Sequence, residues 1–333
     1  MKFGFGHVPS EHYQEHVDLV RLAEDLGYDY AWIPDQTFYR DPYVVLAALA
    51  SATESIQLGV GVTNPYTRHP AMAARAVASL DEIAPGRVNL GIGAGNRKEL
   101  LIPLGLDESA AGDKCREMAQ LVKCLLTEDE CTYRGKYYQA DGIRLDFRAQ
   151  HPIPIYIAGR GALVLQGAGE VADGVIIGGL CTPKGIGYAM DQVRKGASHS
   201  GRQVADLEVV SWVTCQVTDD REQALEDVKP VVAHIIGGAP MAVLEAIELP
   251  ADTVQAIKTT YTEQGIPQSA QHVTEQCIDA FTLIGDPESL AERIRGLEAA
   301  GVTQLSVLMP PGTVEQHQWR IQQFAESLFP AFG

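Results

Sequence analysis

The sequence predicts one (β/α)8 TIM barrel, and three observations carry that reading. Eight short apolar runs alternate with longer amphipathic segments; the ends of the runs are rich in glycine and polar residues; and no Gly-x-Gly-x-x-Gly stands between the first run and the first helix, where Ser10 and Glu11 lie instead. Parallel strands joined by helical crossovers are buried on both faces, which favours closure into a barrel. The competing doubly wound open sheet loses because it would need the missing glycine fingerprint. The chain has 333 residues, and barrels of this kind run to about 250 residues or more as one unit. The expectation is therefore a single domain over 1–333.

Taken in order, Lys2–Gly6 reads as strand one, and Glu11–Leu26 repeats apolar residues at helical spacing until Gly27 stops it. Asp29–Pro34 is strand two with a helix over Tyr43–Ser51; Ile56–Val62 is strand three with a helix over Ala71–Ile83, closed by Pro85-Gly86. Arg87–Gly93 is strand four, followed by a loop, a helix over Asp113–Leu126 and a small extended excursion at Cys131–Tyr138. Pro154–Ala158, Gly174–Ile177, Leu207–Gln216 and Gln304–Met309 supply strands five to eight. Helices over Ala162–Val171, Pro183–Ser198, Asp220–Ile236, Pro287–Ala300 and Glu315–Leu328 complete the alternation. From about Gly237 to Asp279 the rhythm breaks, which predicts a helical insertion between strands seven and eight on the functional rim.

A hydrophobic content of 46% with mean hydropathy near zero describes a chain with an ample core, and its apolar runs fall short of the ~18 residues of a membrane span. No apolar leader follows Met1, so the expected location is the cytoplasm. A net charge of −17, spread along the chain, argues against nucleic acid as a partner. The six cysteines (Cys115, Cys124, Cys131, Cys181, Cys215, Cys277) show no Cys-x-x-Cys pair and are expected to be buried or incidental thiols.

In such barrels the chemistry lies at the C-terminal ends of the strands. Here those ends are Gly6-His7, Pro34-Asp35-Gln36, the stretch from Gly61 through Val62 and Thr63 to Asn64, Gly93 to Asn96, Ala158 to Gly161, Gly178 to Cys181, Thr214-Cys215 and Met309-Pro310. Glycine stands in five of these eight, which suits close backbone approach by a ligand. Gly159, Gly161, Gly178 and Gly179 are the phosphate candidates, although tight βα turns alone would also use glycine. Asp35 ends an apolar strand and is expected to face the ligand. Thr63 and Asn64 offer a hydroxyl and an amide to the polar edge of a planar heterocycle, while Asn before Pro is also an ordinary turn pair. His7 and Asn96 are weaker candidates for substrate contact. His12 and His16 stand one helical turn apart with Glu15 between them, but no third ligand follows, so a helix start and not a metal site is expected. A carrier or lyase of phosphorylated ligands would need a Schiff-base lysine or metal carboxylates at strand ends; Lys98 and Lys184 fall in loops or helix starts.

The order of motifs resembles the luciferase-like flavin and deazaflavin oxidoreductases, most closely their coenzyme F420-dependent methylenetetrahydromethanopterin reductases. The matching pieces are Phe3-Gly4 with Val8-Pro9, Ala23-Glu24-Asp25 with Gly27-Tyr28-Asp29-Tyr30-Ala31-Trp32-Ile33 and Asp35, the segment Gly61 to Pro70, Gly91 to Gly93 with Gly95, Ala168-Gly169-Glu170 with Ala172-Asp173-Gly174, and Gly301 to Gln304. The resemblance implies an oxidoreductase that transfers hydride between coenzyme F420 and an organic acceptor, with FMN as the alternative cofactor, and a homodimer or higher homo-oligomer. It also implies a non-proline cis peptide at Gly61–Val62, a conformation that costs about 3–4 kcal/mol, as a bulge against the deazaflavin. Asp35, Thr63 and Asn64 would fix the ring's polar edge, Gly93 and Ala158 would line it, and the phosphate would lie near Gly159, Gly178 and Gly179. Two acids of the methylenetetrahydromethanopterin reductases are replaced, at Gly6 and Asn96, and Gln36 replaces a histidine. The implied cofactor site is preserved and the acceptor is expected to differ.

Overall fold

The computed structural model describes residues 1–9, 12–36, 38–96, 100–107, 109–309 and 312–333. Ser10, Glu11, Lys98 and Pro310, named above, lie outside the described residues. The elements run β1 (Lys2–Gly6), α1 (Tyr13–Asp25), β2 (Tyr30–Ile33), α2 (Pro42–Ala52), β3 (Gln57–Thr63), α3 (Pro70–Ile83), β4 (Val88–Gly93), α4 (Ala111–Thr127), β5 (Cys131–Arg134), β6 (Gln139–Ile143), β7 (Ile155–Gly159), α5 (Ala162–Val171), β8 (Gly174–Gly178), α6 (Pro183–Ser200) and β9 (Glu208–Val217). They continue with α7 (Arg221–Gly238), α8 (Met241–Ala246), α9 (Ala251–Glu263), α10 (Ile266–Ser269), α11 (Glu275–Phe281), β10 (Thr282–Gly285), α12 (Pro287–Ala299), β11 (Gln304–Leu308) and α13 (Val314–Leu328).

Parallel pairing in the order β1-β2-β3-β4-β7-β8-β9-β11 closes on itself through β11 and β1, an eight-stranded barrel. β5 and β6 form a separate antiparallel hairpin. The expected insertion holds four helices, α8 to α11, and ends in a strand the sequence reading missed: β10 adds in parallel to the far end of β9, from Thr214 to Val217. Its four residues follow α11 without a break, so their apolar run continues a helical pattern. One expectation about thiols is corrected. Cys124, in the last turn of α4, is joined by a disulfide to Cys131 at the start of β5, because their Cα atoms stand 5.6 Å apart; Cys115, Cys181, Cys215 and Cys277 are free.

The barrel interior explains most of the strand glycines. Tyr30, Trp32, Tyr156, Ile176 and Val210 pack as a buried cluster inside the ring, and such bulk fits only where facing positions are small. A Cβ on Gly59 would stand 2.2 Å from the Trp32 ring, and one on Gly174 would stand 2.3 Å from Tyr156. Below this cluster Glu208 closes the barrel, accepting from Tyr156 Oη (2.8 Å) and pairing with Lys2 Nζ (3.2 Å).

Three carboxylates clamp loops by accepting backbone N–H groups. Glu24 accepts from Glu54, Ser55 and Ile56, Asp81 from Gly86, Gln150 and His151, and Glu117 from Lys136, Tyr137 and Tyr138. At Glu24, burial opposes ionisation but the hydrogen bonds from Ile56 and Ser55 outweigh it, and the carboxyl lies below its ordinary value. A depressed folded value stabilises the fold above the unfolded pKa and is lost as pH falls through the folded one. Glu24→Gln should therefore cost about 1–2 kcal/mol at neutral pH, a deficit that closes below the ordinary carboxylate range; urea unfolding at pH 7 and at about pH 3 checks it.

Candidate active site at the C-terminal mouth of the barrel

Asp35 follows β2, and its position is set by β3 and α2. Its Oδ2 accepts from Thr63 Oγ1 at 2.8 Å and from Arg68 Nε at 3.3 Å, while Arg68 Nη2 reaches Asp41 Oδ2 at 2.7 Å. The Arg68 guanidinium lies 4.2 Å over the Tyr43 ring. Arg68 and Thr63 therefore hold the Asp35 side chain in one rotamer, and Asp35 Oδ1 has no partner among the described residues. Sequence reasoning brought Asp35 and Thr63 to one site and missed Arg68, which lies inside the motif running from Gly61 to Pro70.

β3 ends in a bulge: its register against β4 shifts between Val60 and Thr63, and the Gly61–Val62 peptide is cis. Asn64 Oδ1 accepts from the N–H groups of Tyr66 and Thr67 at 3.0 Å each, so its carbonyl shapes the loop. The β5–β6 hairpin contributes here too, since Tyr138, just before β6, donates its Oη to Pro65 O at 2.5 Å. Gly93 lacks a Cβ for a packing reason, because one would stand 2.6 Å from Val62 Cγ2.

The floor of the mouth is apolar. Val62, Ala158 and Trp212 are half-buried and pack on the interior cluster beneath them. A Cβ on Gly6 would stand 2.4 Å from Trp212 Cζ2, and one on Gly61 3.2 Å from Trp212 Cη2. The indole thus fills the space that a side chain at the end of β1 would need.

The other sequence candidates are dispersed. His7 is buried and packs, tilted, against His16 of α1 and, edge-on, against His317 of α13, each at 4.8 Å between ring centroids, which places it in the layer between barrel and helices. His12, in turn, caps α1 by accepting from Gln14 N. Asn96 Nδ2 stands 3.5 Å from His234 Nε2, whose Nδ1 is 3.1 Å from Tyr261 Oη. That pair belongs to α7 and α9, in and beside the insertion, and no local motif announces it.

On the opposite side of the mouth, α5 opens on Gly161 with no side chain capping its first N–H groups, unlike α2, α6 and α12, which Asp41, Thr182 and Asp286 cap. Arg160 stands immediately before it. Its Nη2 lies 3.6 Å from the point a Cβ on Gly178 would occupy, and its Nη1 donates to Ile235 O at 3.4 Å. No carboxylate pairs with it among the described residues, and burial lowers it to about 10, so it remains a cation at neutral pH. Gly179 is needed for its left-handed backbone (φ +76°), and its N–H donates to Trp212 O at 2.8 Å, a group therefore already used within the protein. A lone guanidinium beside an uncapped helix N-terminus is built for an anion.

Comparison with known proteins agrees with this geometry. Residues 2–304 match the family model described as luciferase-like monooxygenase. The chain is 35% identical over 334 residues to a 5,10-methylenetetrahydromethanopterin reductase of Archaeoglobus fulgidus, covering 99% of each. Its fold superposes on the coenzyme F420-dependent tetrahydromethanopterin reductase of Methanopyrus kandleri with a TM-score of 0.86 at 30% identity, covering 100% of this chain and 99% of that one. An F420-dependent secondary alcohol dehydrogenase, solved with an F420-acetone adduct, shares the fold alone, with a TM-score of 0.77 at 20% identity over the whole of both chains. By sequence match and by architecture, the chain belongs to the luciferase-like monooxygenase family.

Proposed function

We propose that this protein is a coenzyme F420-dependent oxidoreductase of the luciferase-like family that reduces or oxidises a small organic molecule. The observation that carries the reading is the anion grip of Arg160 and the uncapped start of α5, set across the barrel mouth from the Asp35–Arg68–Thr63 network. A deazaflavin with a phosphate on its side chain has this polarity: an anion at one end and a hydrogen-bonding ring edge at the other. When bound, such a cofactor supplies or accepts the hydride.

The chain's residues would bind and orient it. Arg160 and the N–H groups at the start of α5 would hold the phosphate, near Gly159 and Gly178. Asp35 Oδ1 and Thr63 would meet the polar edge, with Asn64 shaping the loop beneath, and Val62, Gly93 and Ala158 would give a dry surface that excludes water. Gly61 and Gly179 serve by letting the backbone pack. His7 and Asn96 were candidates for substrate contact; Asn96 is joined to His234, whereas the His7 ring packs against His16 and His317. The reading also takes the chain as one barrel domain with its insertion, cytoplasmic, a homodimer or larger homo-oligomer, without nucleic-acid or membrane partners. A charge of −17 supports it, as does the lack, among the described residues, of a helix long and apolar enough to cross a membrane.

Asp35→Ala should weaken F420 binding about tenfold, the worth of one charged hydrogen bond. Fluorescence titration of the purified protein with F420 and with FMN tests both points. Tight FMN binding with no response to F420 reverses the cofactor assignment, and an unchanged F420 affinity removes Asp35 from the site.

A further inference from the structure

The acceptor's chemistry is written in the floor of the mouth. We propose that Trp212 is the specificity-determining residue of this site and that the molecule reduced there is planar, conjugated and uncharged. The inference rests on the preceding reading, which supplies the cofactor.

Trp212 stands on β9 and is half-buried, yet its six-membered ring reaches Gly6 of β1 and Gly61 of β3. β3 and β9 are four strands apart in the ring of eight, so the indole spans the mouth from one wall toward the other. It is held there by the interior cluster, which packs against it from below. With Val62 and Ala158 under the cofactor, a molecule entering beside it on the β1 side meets the indole.

Among the described residues, the ionisable groups nearby are directed elsewhere. Asp35 is paired with Arg68 and Thr63, Arg160 extends over Gly178 to α7, and His7 packs against His16 and His317 behind the barrel wall. A charged acceptor would lose its hydration over this floor with no opposite charge among the described residues to replace it, whereas a flat π-system gains stacking and sheds apolar surface.

The test uses 1,4-naphthoquinone as a planar neutral probe and its 2-sulfonate as an equally planar charged one. Uptake of oxidised F420 is measured first, by cofactor fluorescence. Calorimetric titration of the loaded protein should then show saturable naphthoquinone binding, with the sulfonate weaker by about tenfold. Trp212→Ala should weaken naphthoquinone about tenfold and Trp212→Phe only about threefold, each variant being checked for cooperative unfolding. Equal affinity for the two probes, indifference to loss of the indole, or no saturable binding overturns the inference. The comparison of probes on the wild-type chain needs no variant. Failure of F420 uptake itself overturns the cofactor reading, and the two failures are distinguishable because uptake has its own signal.

Discussion

Arg160→Gln is expected to weaken F420 binding by about ten- to hundredfold, the range of a charge-assisted hydrogen bond in a partly buried site. The arginine has one long hydrogen bond to a backbone carbonyl and no carboxylate partner among the described residues. Burial alone shifts it, and it stays protonated at neutral pH because it falls only to about 10. A cation kept without a counter-charge is costly unless a ligand supplies one. The control is a deazaflavin riboside without the phosphate, which should bind wild type and variant alike. If Arg160→Gln weakens both compounds equally, the guanidinium shapes the mouth and does not grip the phosphate. Arg160→Lys should recover part of the loss, since a point charge remains but the two-pronged geometry is gone.

Asp81→Ala is the substitution expected to cost most in stability, about 3 kcal/mol or more, which in a chain of this size lowers the melting temperature by roughly 4 °C or more. Asp81 is buried in α3 and accepts from Gly86 N at 3.0 Å, Gln150 N at 2.8 Å and His151 N at 3.0 Å. One side chain thus ties the turn before β4 to the connection before β7. Removing it strands three backbone donors at once, and an unsatisfied buried donor costs more than a made bond contributes. Asp81→Asn keeps a single carbonyl oxygen and should recover about half the loss. Burial opposes ionisation of this carboxyl, but the bonds from Gly86, His151 and Gln150 prevail and hold it below its ordinary value. Its contribution is therefore complete above the ordinary carboxylate range and disappears as the pH falls beneath it. Thermal unfolding of the three proteins at pH 7 and at about pH 3 checks both size and sign: the Ala deficit should shrink in acid. An equal deficit at both values would mean that packing, and not the carboxylate's bonds, holds the loops.

The strands and most helices were legible because their signals are local. An apolar run bounded by glycine or proline states its own length, and Lys2–Gly6 matches β1 residue for residue. Asp35, Thr63 and Asn64 were legible for a related reason, since barrel topology sends strand ends to one rim. β10 was not, because a four-residue strand directly after a helix has no period of its own. The Cys124–Cys131 pair was hidden by a spacing that matches no familiar framework; only the turn from α4 into β5 makes it a contact. His7 was given its place by tertiary packing, since its ring meets His16 of α1 and His317 of α13, neighbours that its strand-end position does not announce.

Composition, periodicity and turn residues by themselves determined an eight-fold alternation, its closure and the rim on which chemistry would lie, since each depends on neighbours within about one or two turns of chain. What the glycines are for was decided only in three dimensions. Gly6, Gly61 and Gly93 all read as sites of ligand approach, yet a Cβ on each meets Trp212, Trp32 or Val62. Likewise Arg160 became the proposed anion grip only through what it lacks among the described residues, a carboxylate within reach. Packing and charge pairing join residues tens to hundreds of positions apart, and the chain reveals those partners only when folding brings them together.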